Sequence, residues 1–168
     1  EEIYEPVCYN YSDEPDPRIQ WPFGYGLSYT SFEYSDLDMD TSASTSDKSV
    51  KLSFNVKNTG SVEADEIVQI YVSPTEESQN IRPIQLQGFA RVSLRPGEVR
   101  RVDVKLFTEQ FGYYTNDGVR QWNLDPGTYE VKIGASSEDI RLKGSVTLEG
   151  NRQCKPLRDY YFSEVAVK

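Results

Sequence analysis

The sequence contains no histidine. Ser-His-Asp and Cys-His catalysis are therefore excluded, and with them most zinc sites. It carries no G-x-x-x-x-G-K-[ST] loop and no G-x-G-x-x-G, so nucleotide binding loses its main support. No apolar run approaches the roughly 18 residues of a membrane-spanning helix. Basic residues are few, 18 against 27 acidic, for a net charge of −9. A nucleic-acid partner is not expected, because phosphate contacts need clustered Lys and Arg. Methionine occurs once, at Met39. The chain is accordingly read as a piece of a longer polypeptide.

What is present supports a folded domain. Hydrophobic residues make up 37% and aromatic residues 12% of 168, which is too apolar and ring-rich for a disordered chain. The acidity is uneven. Residues 1–47 hold eleven acids and one base, Arg18, for a net of −10, whereas residues 48–168 sum to +1. Nine of the 21 aromatic residues precede residue 35. A segment both acidic and ring-rich does not read as a free tail, because exposed rings are costly in water. It reads as a strip lying against its own domain or a neighbour.

Pro6, Pro15, Pro17 and Pro22 deny residues 1–30 a helix or a central strand, so this stretch reads as a surface connector. A β pattern begins at Phe32 and Tyr34. It changes phase before Leu37 and Met39, which predicts a bulge or strand end near Ser35. Residues 41–49 are small and polar and read as a loop. Val50, Leu52, Phe54 and Val56 alternate with polar residues, as in a half-buried strand. Residues 66–73 are apolar on both parities, as in a strand covered on both faces. Residues 74–83 read as a long loop.

Strands follow at residues 86–94 and 99–106. Arg95-Pro96-Gly97 joins them as a type II turn. Asn116-Asp117-Gly118 predicts a hairpin between residues 111–114 and 119–124. Asp125-Pro126-Gly127 is another turn. Strands at residues 129–135 and 140–148 close the run. About eight strands without an amphipathic helix indicate an all-β protein. The expected fold is an antiparallel β-sandwich of immunoglobulin or fibronectin type III kind, with irregular N- and C-terminal flanks. The expected division is a connector at 1–30, a sandwich at 31–150 and a tail at 151–168 that packs on it.

Few constellations carry chemistry. Carboxylates are plentiful, but no spacing singles out a glycosidase-like pair. Asp36, Asp38, Asp40 and Asp47 resemble part of a calcium loop. The sixth position is Thr41 rather than glycine and no helix flanks the run, so charge on a solvated face is preferred. Tyr113, Tyr114 and Trp122 lie around one predicted hairpin. They read as a packed ring cluster or as a platform for sugar stacking. Cys8 and Cys154, one in each flank, are candidates for a disulfide. Asn10-Tyr11-Ser12 is a glycosylation sequon. No catalytic, metal-ligating or cofactor-binding residue is expected.

One segment is specific. Trp21-Pro22-Phe23-Gly24-Tyr25-Gly26-Leu27-Ser28-Tyr29-Thr30-Ser31-Phe32 resembles the PFGYGLSYT segment of glycoside hydrolase family 3, the β-glucosidases and β-xylosidases. Gly24 and Gly26 would allow close backbone approach among the rings. Val56-Lys57-Asn58-Thr59-Gly60, the Glu66 to Val72 strand, Leu86-Gln87-Gly88-Phe89-Ala90-Arg91-Val92 with Pro96-Gly97-Glu98, and Pro126-Gly127-Thr128-Tyr129 through Ser136-Ser137-Glu138-Asp139-Ile140 are similar to later segments of that family's C-terminal domain. Pro6-Val7-Cys8-Tyr9-Asn10 is weakly similar to a stretch upstream. Gln85 and Gln87 stand where the family often has a basic pair, and the tail after Gly150 has no counterpart.

The resemblance implies a fibronectin type III-like accessory domain, inactive alone. Its partners would be a barrel domain and an α/β sandwich domain, with carbohydrate as a further partner. The location would be periplasmic or extracellular. Pro22, Phe23, Gly24, Tyr25, Gly26, Leu27, Ser28 and Tyr29 would pack between domains. An independent carbohydrate-binding or adhesion module is the alternative.

Overall fold

The fold is that of a computed structural model, which describes residues 20–75, 84–115 and 120–168. Cys8, the segment Pro6 to Asn10, the sequon at Asn10 and the Asn116-Asp117-Gly118 turn lie outside the described residues.

Twelve strands and one 3-10 turn form the described part. In chain order they are β1 (Phe32–Met39), β2 (Ser42–Ser44), β3 (Ser49–Asn58), β4 (Ala64–Pro74), β5 (Gln85–Leu94), β6 (Val99–Phe107), the 3-10 turn Thr108–Phe111, β7 (Tyr113–Thr115), β8 (Gln121–Leu124), β9 (Gly127–Gly134), β10 (Ile140–Glu149), β11 (Gln153–Lys155) and β12 (Glu164–Val167). One sheet runs β1-β3-β6-β12, a second β2-β10-β9-β4-β5, and a small third β11-β8-β7. All pairings are antiparallel except that of β2 with β10.

The core lies between the two large sheets. Val50, Leu52, Phe54 and Val56 of β3 and Val102, Val104 and Leu106 of β6 face Val68, Ile70 and Val72 of β4 and Val131 and Ile133 of β9. Each such burial removes enough apolar area to be worth about 1.5–3 kcal/mol. The phase change in β1 is a bulge. The register slips between Ser35 and Asp38, and Asp36 adopts φ 54°. The slip returns Leu37 and Met39 to the core side, where they pack against the buried cluster. The Arg95–Glu98 turn forms as read, with Gly97 at φ 77° and the Glu98 amide donating to Arg95 O at 3.0 Å. At the start of β9 the Tyr129 hydroxyl donates to Asp125 O at 2.8 Å. This is the corner bond typical of Greek-key sandwiches.

The structure departs from the sequence reading at three places. Residues 42–44 are a short parallel edge strand rather than loop. Phe111 ends a 3-10 turn instead of starting a strand. Gln110 within that turn is fully buried: its Oε1 accepts from the Phe107 amide at 2.9 Å and its Nε2 donates to Gln87 O at 2.7 Å. Periodicity does not register such a polar core residue. The tail also contributes strands, since β11 pairs with β8 and β12 with β6.

Candidate interdomain interface

Residues 20–31 form an arch over the outer face of the five-stranded sheet. The Tyr25 amide donates to Pro22 O at 3.1 Å, closing a turn that carries Gly24 at φ 79°. A side chain at Gly24 would collide with Gln69 of β4. Gly26 differs, because a Cβ there meets nothing within 4 Å. Close approach is thus required of the first glycine but not of the second by anything within the described residues.

The arch is held at both ends. Phe23 O accepts from the Ser137 amide at 2.9 Å. Gly24 O accepts from Gln69 Nε2 at 2.9 Å, and the same amide donates to Ala135 O at 2.6 Å. The Tyr71 hydroxyl donates to Gln69 Oε1 and fixes the amide's orientation. Burial pushes the Tyr71 phenol up to about 12. At the far end the Thr30 hydroxyl donates to Asn58 Oδ1 at 2.7 Å. Ser31 O accepts from the Thr59 amide at 2.8 Å, and Phe32 O from an Arg141 guanidinium nitrogen at 2.9 Å.

Asn58 is fully buried and fully bonded. Besides Thr30, its Oδ1 accepts from the Gly60 amide, and its Nδ2 donates to Val62 O and Leu94 O. The Asn-Thr-Gly, Val-Gln-Ile-Tyr and Ser-Ser-Glu-Asp-Ile segments, scattered in sequence, therefore converge as anchors of this arch. Tyr71 also explains the two-sided apolarity of β4. Its side chain is buried yet stands outside the main core cluster, on the face the arch covers.

The arch turns its own rings outward. Leu27 is 89% and Tyr29 97% exposed; Trp21, Phe23 and Tyr25 are also exposed, and Trp21 stacks on Tyr25 with ring centroids 4.6 Å apart. Behind the arch lies a buried polar cluster. The Tyr34 hydroxyl donates to Glu66 Oε1 at 2.8 Å. Arg141 lies 3.7 Å from the same oxygen, stacks over the Tyr34 ring and forks onto Asp139. Desolvation raises the Glu66 carboxyl and the Tyr34 phenol. The hydrogen bond from Arg141 lowers Asp139. These groups bond one another and tie β1, β4 and β10 together.

The other sequence candidates lie elsewhere. Tyr113 and Trp122 are buried, while Tyr114 is exposed. Trp122 Nε1 donates to Glu109 O at 3.0 Å, and the Arg158 guanidinium sits over both the Trp122 and Tyr161 rings. The Tyr113 hydroxyl donates to Asp125 at 2.8 Å. Cys154 is exposed on β11, its thiol 3.2 Å from Asn123 Oδ1. The aspartates of β1 and its loop act singly. Asp36 accepts from Ser35 and Asn55, Asp40 from the Lys51 amide and Asp47 from the Ser44 amide. Among the described residues no group of three or more Asp, Glu or Cys side chains is gathered to hold a metal. No described helix is long and apolar enough to cross a membrane.

The sequence reading takes Ile67 of β4 and Phe89 of β5 only as parts of family-like segments, not as site residues; both are exposed on the outer face beside the arch. An apolar residue on the outward parity of a strand was the available signal.

Gln69 and Asn58, both buried, thus pin an outward-facing ring arch to a two-sheet sandwich. Known proteins share this architecture. The family model described as fibronectin type III-like domain matches residues 66–137. The thermostable β-glucosidase B of Acetivibrio thermocellus is 40% identical over 83% of this chain, which corresponds to 18% of its own length. A β-glucosidase of Kluyveromyces marxianus, solved in complex with glucose, is similar at TM-score 0.72 and 35% identity over 82% of this chain and 16% of that one. The glycoside hydrolase family 3 β-glucosidase of Bifidobacterium adolescentis is similar at TM-score 0.71 and 31% identity, over 83% of this chain and 20% of that one. The chain belongs to the fibronectin type III-like domains of glycoside hydrolase family 3 enzymes. It spans about a fifth of the length of these relatives.

Proposed function

We propose that the chain is the C-terminal accessory domain of a family 3 glycosidase, of β-glucosidase or β-xylosidase type, and that it braces the catalytic body without taking part in catalysis. The observation that carries this reading is the arch: its backbone is bonded to the loop after β3, to Gln69 of β4 and to the β9–β10 loop while Leu27 and Tyr29 stand almost wholly in solvent. Exposed rings on a rigid support fit an interface whose other side belongs to a larger body. In this reading residues 1–30 connect to a preceding α/β domain and residues 31–150 are the sandwich. The barrel and α/β domains of the same polypeptide are the partners, and the location is periplasmic or extracellular. Sugar contact at the β7–β8 hairpin has weaker support, because Trp122 is buried and its ring is capped by Arg158.

Assay of the 168-residue chain with aryl β-glucosides and β-xylosides tests the reading. No turnover is expected. Turnover by the pure chain, abolished by replacing a single acid, would overturn it.

A further inference from the structure

We propose that the docking face is bipartite. The outer face of β4 and β5, with Ile67 and Phe89, continues the ring arch, and one apolar surface elsewhere in the same polypeptide covers both. The proposal rests on the accessory-domain reading above and adds residues which that reading does not need.

Phe89 is 62% and Ile67 44% exposed, and neither belongs to the core or packs against it. They occupy one patch. Phe89 lies directly across the ladder from Gln69, and Ile67 is two positions from Gln69 on the same face, diagonal to Phe89. Side chains so placed on adjacent strands are within reach of each other. Gln69 is also the residue that holds Gly24 O, so the arch begins where the strand patch ends. Ile67 and Phe89 thus lie beside Gln69, the buried residue on which the arch with Phe23, Tyr25 and Trp21 sits. At its edge Arg91 pairs with Asp65. An apolar centre with a charged rim is the anatomy of a protein interface.

The opposite outer face is mainly polar, with Val99 its exposed apolar residue on β6. There Lys51 stands across from Lys105 and Lys105 from Glu164, while Ser53 stands across from Asp103. That face is built for water. Other exposed apolar residues, Leu157 and Phe162 of the tail among them, lie apart from the arch, whereas Ile67 and Phe89 adjoin it at Gln69. The occupant is assigned to the same polypeptide because the related enzymes carry about four-fifths of their length beyond the part matched. A patch adjoining the arch then meets the same body.

Hydroxyl-radical footprinting read by mass spectrometry tests this without a substitution. It is applied to the 168-residue chain and to the whole polypeptide its gene encodes, normalised to side chains of the four-stranded face. Oxidation of Phe89 and Ile67 should fall severalfold in the whole polypeptide, together with that of Leu27 and Tyr29. A fall at Leu27 and Tyr29 with Phe89 and Ile67 unchanged would overturn the bipartite face and leave the accessory reading standing. No fall at either set would overturn both. A fall at Phe89 in the 168-residue chain as its concentration is raised would make a second copy the occupant, and would also overturn the proposal.

Discussion

Glu66 shows how much one residue's surroundings decide. On sequence it is one acid among 27. In the fold it is buried, receives the Tyr34 hydroxyl and faces Arg141, with Asp139 beyond. Desolvation raises its pKa, so the folded state holds the proton more tightly than the unfolded chain. Stability from this group is therefore fully present below the unfolded glutamate value, near about 4.3, and is lost as pH rises through the raised folded value. Glu66→Gln keeps an acceptor for Tyr34 and removes the titration. Relative to wild type, the variant should gain stability as pH climbs from about 4 toward 7. Urea midpoints across that range measure the difference, and parallel pH profiles for the two proteins would refute the assignment. Asn58 makes the same point without charge. Its turn chemistry is legible from Asn-Thr-Gly, but its four hydrogen bonds, to the arch, the loop after β3 and the end of β5, are not.

Among elements, the strands with strict alternation were legible, and so was the β1 bulge, because a phase change in side-chain parity has one simple cause. The tail was not. Residues 150–163 lack a period, and besides the pairing of β11 with β8 one carboxylate gathers their second half. Glu109 accepts from the Asp159 amide at 2.6 Å, from the Tyr160 amide at 3.1 Å and from Lys155 Nζ. Tyr160 then stacks on Phe107, with centroids 3.9 Å apart. This strap leads into β12, the last strand beside β6. Glu109→Ala leaves the Asp159 and Tyr160 amides without their acceptor and Lys155 with Asp159 alone, at a cost of about 1–3 kcal/mol. Hydrogen exchange at Asp159 and Tyr160 should accelerate, and that of β12 with it. Protection in β12 unchanged from wild type would show that the strand holds without the strap.

At the scale of the whole molecule, the two flanks carry the two cysteines. Cys154 is exposed on β11, and Cys8 lies outside the described residues. We propose that they pair. Closing so long a loop restricts the unfolded chain by about 5 kcal/mol in the entropy model. Thiol titration of the unreduced, unfolded chain should find no free thiols, whereas two would exclude the bridge. The acidity of residues 1–47 also takes on a local meaning. Asp36, Asp38 and Asp40 follow the edge strand β1 and the turn after it, and two of them accept hydrogen bonds from β3.

The sequence by itself determined the β class, most strand positions, the Arg95–Glu98 turn and the family. Each is written locally, in side-chain parity, in Pro-Gly pairs and in short ordered motifs. Only the tertiary structure decided why those motifs occur together. Asn58 and Gln69 lie far along the chain from Ser137 and Arg141, and all four reach residues 23–32 only when two sheets close over one core, because a hydrogen bond reaches about 3 Å whatever the sequence distance. That closure turns a run of rings at residues 21–29 into a fixed surface. It also places Phe89 and Ile67 beside that surface, a neighbourhood that strand register sets and no local pattern contains.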